Sequence, residues 1–228
     1  MNHSRRFALA GVAVVAAAAA AGLIALSDGS APAARSGGPA AVTPAPLLAG
    51  IPQHGFTLGS PKAPVTMVDY LDLQCPVCRE FDQVVMPSLL PYVRAGKLRI
   101  ELRIASILGP QSAIAGRALA AAALQNRAFD YVEAFYARQG QENSGYVVPS
   151  FLAGVGRSAG ADVTRLMRDS NGLWAAGTVT RHMRSFAQLG FQGTPSFRIG
   201  RTGATLSVLR PSSLAPGEFT GPIDSLLG

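Results

Sequence analysis

Cysteine is scarce in this chain, with two in 228 residues. Two cannot build a disulfide framework, so the fold must rest on its hydrophobic core. Nor can two supply a four-thiolate zinc site or a cysteine-bound iron–sulfur cluster. Charge is sparse as well: 14% charged against 48% hydrophobic residues excludes a disordered protein. Lysine is nearly absent, since 18 of the 20 basic residues are Arg. Downstream they are spread singly from Arg79 to Arg210, without the clustered stripe of a nucleic-acid footprint, so no nucleic-acid partner is expected. No nucleotide, flavin or metal motif is visible, and no internal repeat. The length allows one medium domain plus a tail, at a prior of about 150 residues per domain.

What is present begins with an export signal. Arg5-Arg6 precede an uncharged run of 20 residues from Phe7 to Leu26. At about 1.5 Å per residue such a helix spans about 30 Å, one bilayer core. Positive charge before the run places the N-terminus inside and the bulk of the chain outside. Residues 1–26 are therefore expected to be a signal-anchor, giving a single-pass membrane protein with an extracytoplasmic domain. The alternative is a signal peptide cleaved near Ala31-Pro32-Ala33, releasing a secreted protein. Residues 27–52, rich in Pro, Ala, Gly and Ser, read as a semi-extended tether. Residues 53–228 are long enough for one domain.

Within that domain the pattern is mixed α/β. Val65 to Leu71 reads as a buried strand interrupted by one acid, Asp69. A helical segment follows Cys75-Pro76 through Phe81, Val85, Leu89 and Val93; Pro87 should kink it and Gly96 should end it. Leu98 to Ile104 alternates apolar and charged residues, a second strand. A long helical region follows at about 107–189. Phe197 to Ile199 and Thr205 to Leu209 read as a hairpin, and a short helix as covering Asp224 to Leu227.

Both cysteines fall in one motif, Cys75-Pro76-Val77-Cys78, directly after a strand and at the opening of a helix. There the unsatisfied backbone N–H groups and the positive end of the dipole stabilise a thiolate on Cys75. Pro76 suits the first turn, where its missing N–H costs nothing. Cys78, one turn on, can face Cys75 and close a short-range disulfide. An inert disulfide or two buried thiols would carry the same spacing. Zinc would need two more ligands, and His54 and His182 stand in no recognisable spacing.

At this motif the chain resembles the thioredoxin superfamily and, within it, the DsbA-like exported thiol–disulfide oxidoreductases, over residues 56 to 228. The resemblance is carried by Asp69-Tyr70-Leu71-Asp72-Leu73-Gln74-Cys75-Pro76-Val77-Cys78-Arg79-Glu80-Phe81 and by Gly193-Thr194-Pro195-Ser196-Phe197. Leu124 to Phe129, Phe135-Tyr136 and Gln139-Gly140 look like that branch's helical insertion. It implies a thioredoxin-like α/β fold with Cys75 as nucleophile and Cys78 as resolving thiol. It also implies a cis Thr194–Pro195 bond, with Thr194, Pro195, Pro76 and Val77 contacting an extended substrate. Asp69 stands where the family often has a buried acid, which would move the proton of Cys78; Asp72 reads as a loop residue. Val77 departs from the most oxidising member, which has a His there, and leaves the oxidising strength open.

The expected function is an exported monomeric dithiol oxidase that donates its disulfide to extracytoplasmic proteins bearing cysteines and is recharged by a membrane redox partner. No cofactor is needed, because the Cys75–Cys78 disulfide is itself the redox group. Two alternatives remain: a reductase fed by a membrane electron carrier, and a non-catalytic binding or chaperone module.

Overall fold

A computed structural model describes residues 47–228. The expected signal-anchor over 1–26, and the tether up to residue 46, lie outside the described residues. Among those described, no helix is long and apolar enough to cross a membrane. Residues 47–52, read as the end of the tether, join the domain instead. Leu48 and Ile51 are buried in the core, and the Arg94 guanidinium donates to the carbonyls of Leu47 and Ala49. Two large aliphatic side chains in a Pro/Ala-rich stretch are enough to dock it.

A six-stranded sheet runs in the order β1-β2-β4-β3-β5-β6. Its strands are β1 (Gln53–His54), β2 (Thr57–Leu58), β3 (Val65–Leu71), β4 (Leu98–Ile104), β5 (Ser196–Arg201) and β6 (Ser207–Leu209). β3 pairs parallel with β4 and antiparallel with β5, so every residue of this central strand is buried. That explains its continuous β-branched and aromatic run. β4 alternates buried and part-exposed residues, as its sequence does. β5 and β6 form the late hairpin, with Phe197 opposite Leu209. The β1–β2 hairpin was not expected, since two-residue strands carry no readable period.

The segment between β3 and β4 holds α1 (Pro76–Glu80), a π-helical turn (Phe81–Val85) and α2 (Met86–Arg94). The irregularity expected at Pro87 lies just before it, where the Met86 N–H reaches back to the Phe81 carbonyl. Pro87 has no N–H to offer the turn behind it, and the helical ladder opens there. Gly96, at φ +68°, ends α2: its N–H meets the Val93 carbonyl, and that of Lys97 meets Tyr92.

The helical insertion comprises α3 (Pro110–Ala123), α4 (Ala128–Tyr136), α5 (Pro149–Ser158), α6 (Val163–Ser170) and α7 (Leu173–Gln188). It is seated on the sheet at Gly116, where a Cβ would come within 2.6 Å of Ile104 Cγ2. The last helix, α8 (Gly217–Leu227), is longer than expected. Gly217, Gly221 and Pro222 are poor helix formers, but burial of Phe219 and Ile223 holds it in place. Phe219 joins Phe81 and Phe197, with ring centroids 4.7–5.2 Å apart, beneath the helix that carries the cysteines.

Candidate active site

β3 ends at Leu71, and the chain turns through Asp72, Leu73 and Gln74 before Cys75 begins α1. Asp72 shapes the turn: its carboxylate accepts the N–H groups of Gln74, Ile107 and Leu108 at 2.9–3.0 Å. Cys75 is the N-cap of α1, with Pro76 as its first residue. The Cys75 Sγ lies 3.4 Å from the Cys78 N–H and 3.3 Å from the Thr194 carbonyl. Both cysteines are free thiols in this structure. The Thr194–Pro195 bond is cis. Five of the expected site residues, Cys75, Pro76, Cys78, Thr194 and Pro195, therefore converge on one point. Val77, 44% exposed, stands at its rim.

The two thiols are electrostatically unequal. Donation from the Cys78 side chain is the main cause that lowers Cys75 from 9.0 to about 6. Burial opposes this, while the Thr194 hydroxyl and the backbone N–H groups of Cys78 and Val77 assist. The Thr194 hydroxyl is buried without a hydrogen-bond partner, so it acts on the thiol by proximity alone. Cys78 goes the opposite way: burial, then its position beside Cys75, push its thiol well above 9.0. Of the two, Cys75 is thus the more readily ionised thiol, and Cys78 holds its proton unless a base takes it.

Asp69 lies behind Cys78. Strand alternation puts it on the face of Val65, Met67 and Leu71, level with Leu102 and Phe197 on the neighbouring strands. In that apolar setting burial raises its pKa well above the carboxylate range, with Asp82 and Cys75 adding to the shift. One of its oxygens has no hydrogen-bond partner. Two further acids escaped the sequence reading. Asp82, one helical turn beyond Cys78, is raised to about 7 by burial and by Glu133. Glu133 projects from α4, itself raised by burial and by Asp130. None of the three is ion-paired among the described residues. The i, i+4 spacing from Cys78 was the available signal for Asp82; nothing local pointed to Glu133.

Two openings flank the thiol. A groove of about 350 Å³ runs beside Pro195, lined by Phe191, Gln192, Val208, Leu209 and Arg210. Phe197 borders it but is 2% exposed and belongs to the core. A second cleft of about 410 Å³ is lined by mostly polar residues, Gln74, Pro76, Arg79, Gln139 and Glu142 among others. Among the described residues no cluster of three or more His, Cys, Asp or Glu is placed to hold a metal.

A family model described as thioredoxin matches residues 53–207. A search of the curated proteins returns no match. Among solved structures, the chain is similar to oxidised BdbD from Bacillus subtilis, with 20% identity over 78% of this chain and 98% of that one at a TM-score of 0.66. A thioredoxin-like oxidoreductase from Silicibacter pomeroyi DSS-3 shares 28% identity over 74% of this chain and 90% of that one, at 0.59. Wolbachia pipientis alpha-DsbA1 shares 20% over 75% and 89%, at 0.63.

Proposed function

The chain belongs to the thioredoxin family, and on that premise we propose that it is an exported protein thiol–disulfide oxidoreductase acting as a disulfide donor. The inequality of the two thiols carries this reading. In the oxidised pair a substrate thiolate attacks Cys75 Sγ, the Cys75–Cys78 bond breaks, and Cys78 departs with the electron pair. Cys78 then takes a proton, for which protonated Asp69 is the buried source. A second substrate thiolate attacks the substrate sulfur of the mixed disulfide, and Cys75 leaves as a thiolate. Two electrons pass from the substrate dithiol to the Cys75–Cys78 pair. The low pKa of Cys75 speeds that last departure.

Substrate recognition falls to the Thr194 backbone, which would pair with an extended segment, and to the groove beside Pro195. Pro76 and Val77 form the opposite lip. Phe7 to Leu26 would hold the domain outside the membrane, near a membrane redox partner that restores the disulfide. Cys75→Ser should abolish exchange, and full activity in that variant would sink the reading.

The direction is open to one measurement. Near pH 7, lowering Cys75 from 9.0 to about 6 favours the reduced pair by at most about 30 mV, less after solvent screening. A thiol near 6 lies between values of about 7 for thioredoxin and about 3.5 for DsbA, which keeps the reductase as a second reading. Equilibrating the full chain with glutathione buffers decides. A potential towards about −120 mV supports the donor, and one near −270 mV the reductase. Absence of reversible titration would leave the binding module.

A further inference from the structure

The turn that presents Cys75 is held from the side by the helical insertion. Tyr136 donates its hydroxyl to the Asp72 carbonyl at 3.2 Å. The buried Gln74 amide donates to Ser112 Oγ at 2.9 Å and accepts the Asn143 N–H at 3.0 Å. Gln139, just beyond α4, spans the backbone that leads into Cys75: its Nε2 donates to the Leu73 carbonyl at 2.8 Å and to the Cys75 carbonyl at 3.1 Å. One amide NH₂ has two hydrogens, and here each meets a carbonyl on either side of Gln74.

This hold matters because cysteine is not among the strong N-cap residues. The Cys78 N–H meets the Cys75 sulfur at 3.4 Å, and sulfur, a weak acceptor, pins the start of a helix less firmly than an oxygen cap. Yet the thiol's environment depends on that placement, because rotation of the Cys75 backbone would carry Sγ away from the Cys78 N–H and from Thr194 together. The two carbonyls bridged by Gln139 fix the chain before and after Gln74 and so restrict that rotation. The clamp comes from the insertion and not from the thioredoxin core, which makes the insertion part of the nucleophile's own setting.

We infer that Gln139 is a positioning residue for Cys75: its side-chain amide, bridging the Leu73 and Cys75 carbonyls, keeps the sulfur on its donors and thereby sets its reactivity. The inference rests on the exchange reading above. Gln139 is half-buried on the wall of the polar cleft, so water can replace its hydrogen bonds and the fold survives its removal.

The test is the pH profile of Cys75 alkylation by iodoacetamide in the reduced full chain. Gln139→Met keeps the length without the donors, and Gln139→Glu keeps the shape with acceptors only. Both should shift the profile to higher pH by up to about one unit, the effect of losing roughly one hydrogen bond, and slow the reaction about twofold near pH 6, where loss of thiolate outweighs its greater nucleophilicity. The plateau rate at alkaline pH, where the thiol is fully ionised, should not fall, because a thiolate of higher pKa is the better nucleophile. Gln141→Met, in the same cleft without contact to the turn, should follow the wild type. Profiles that overlay the wild type in both Gln139 variants overturn the inference, and so does an equal loss at every pH, which marks a merely structural role. Failure of the wild type itself to exchange with glutathione disulfide would instead sink the exchange reading.

Discussion

The thiolate of Cys75 depends most on a single neighbour, and the dependence can be measured. Donation from Cys78 is the largest cause that brings Cys75 from 9.0 to about 6. A hydrogen bond to a charged group contributes about 1.5–3 kcal/mol, or one to two pKa units. The site opens to water beside the exposed Pro76 and Val77, so screening favours the lower figure, about one unit. Cys78→Ala should therefore raise Cys75 to about 7, because the backbone N–H groups of Cys78 and Val77 and the Thr194 hydroxyl remain. Cys78→Ser keeps a donor at the same place and should stay near 6. Ultraviolet absorbance of the thiolate against pH reads both values directly. Near pH 6 the ionised fraction should fall about fivefold in the alanine variant, and alkylation by less, because the thiolate of higher pKa is the better nucleophile. If Cys78→Ala stays near 6, the helix terminus alone sets the acidity and the argument fails. It fails equally if the serine variant rises with the alanine.

Asp69→Asn should slow exchange about 10²-fold, the usual scale of a lost general acid–base, most visibly where Cys78 must gain or lose its proton. The same variant should be more stable than the wild type at neutral pH by about 1–3 kcal/mol. Because the folded Asp69 pKa is raised, the wild type loses stability as pH climbs from the ordinary carboxylate value towards the folded one; melting curves of the pair that stay parallel from acid to neutral pH would contradict this. His182, whose Nδ1 accepts the Ile104 N–H, is lowered to about 3 by burial and then by Arg103 and Arg181. Its contribution is complete above about pH 6.5 and shrinks as pH falls towards 3, by about 2 kcal/mol at pH 5. Denaturant unfolding of His182→Asn against the wild type should show that slope vanish. Phe219→Ala, at a fully buried position against Phe81 and Phe197, should cost about 3–5 kcal/mol in the same assay.

Local chemistry fixed much of this protein before any tertiary contact was known. The strands Val65–Leu71 and Leu98–Ile104 were legible because one is buried on both faces and the other on one, and each leaves its own period in the chain. Gly96 marked a helix end because few other residues accept its positive φ. Cys75-Pro76-Val77-Cys78 was legible because two thiols and a proline in one helical turn need no distant partner to be recognised. Tertiary structure decided what depends on distance. It alone brings Thr194 to Cys75 across 119 positions and leaves Asp69 among apolar strand neighbours. It alone brings Glu133 to Asp82 and Asp82 to Asp69, and lays Gln139 across the turn from 64 residues away. A side chain's pKa is set by desolvation and by charges within a few ångströms. Those neighbours come from remote segments, so the sequence determined which groups could react, and only the fold decided which of them would hold a proton.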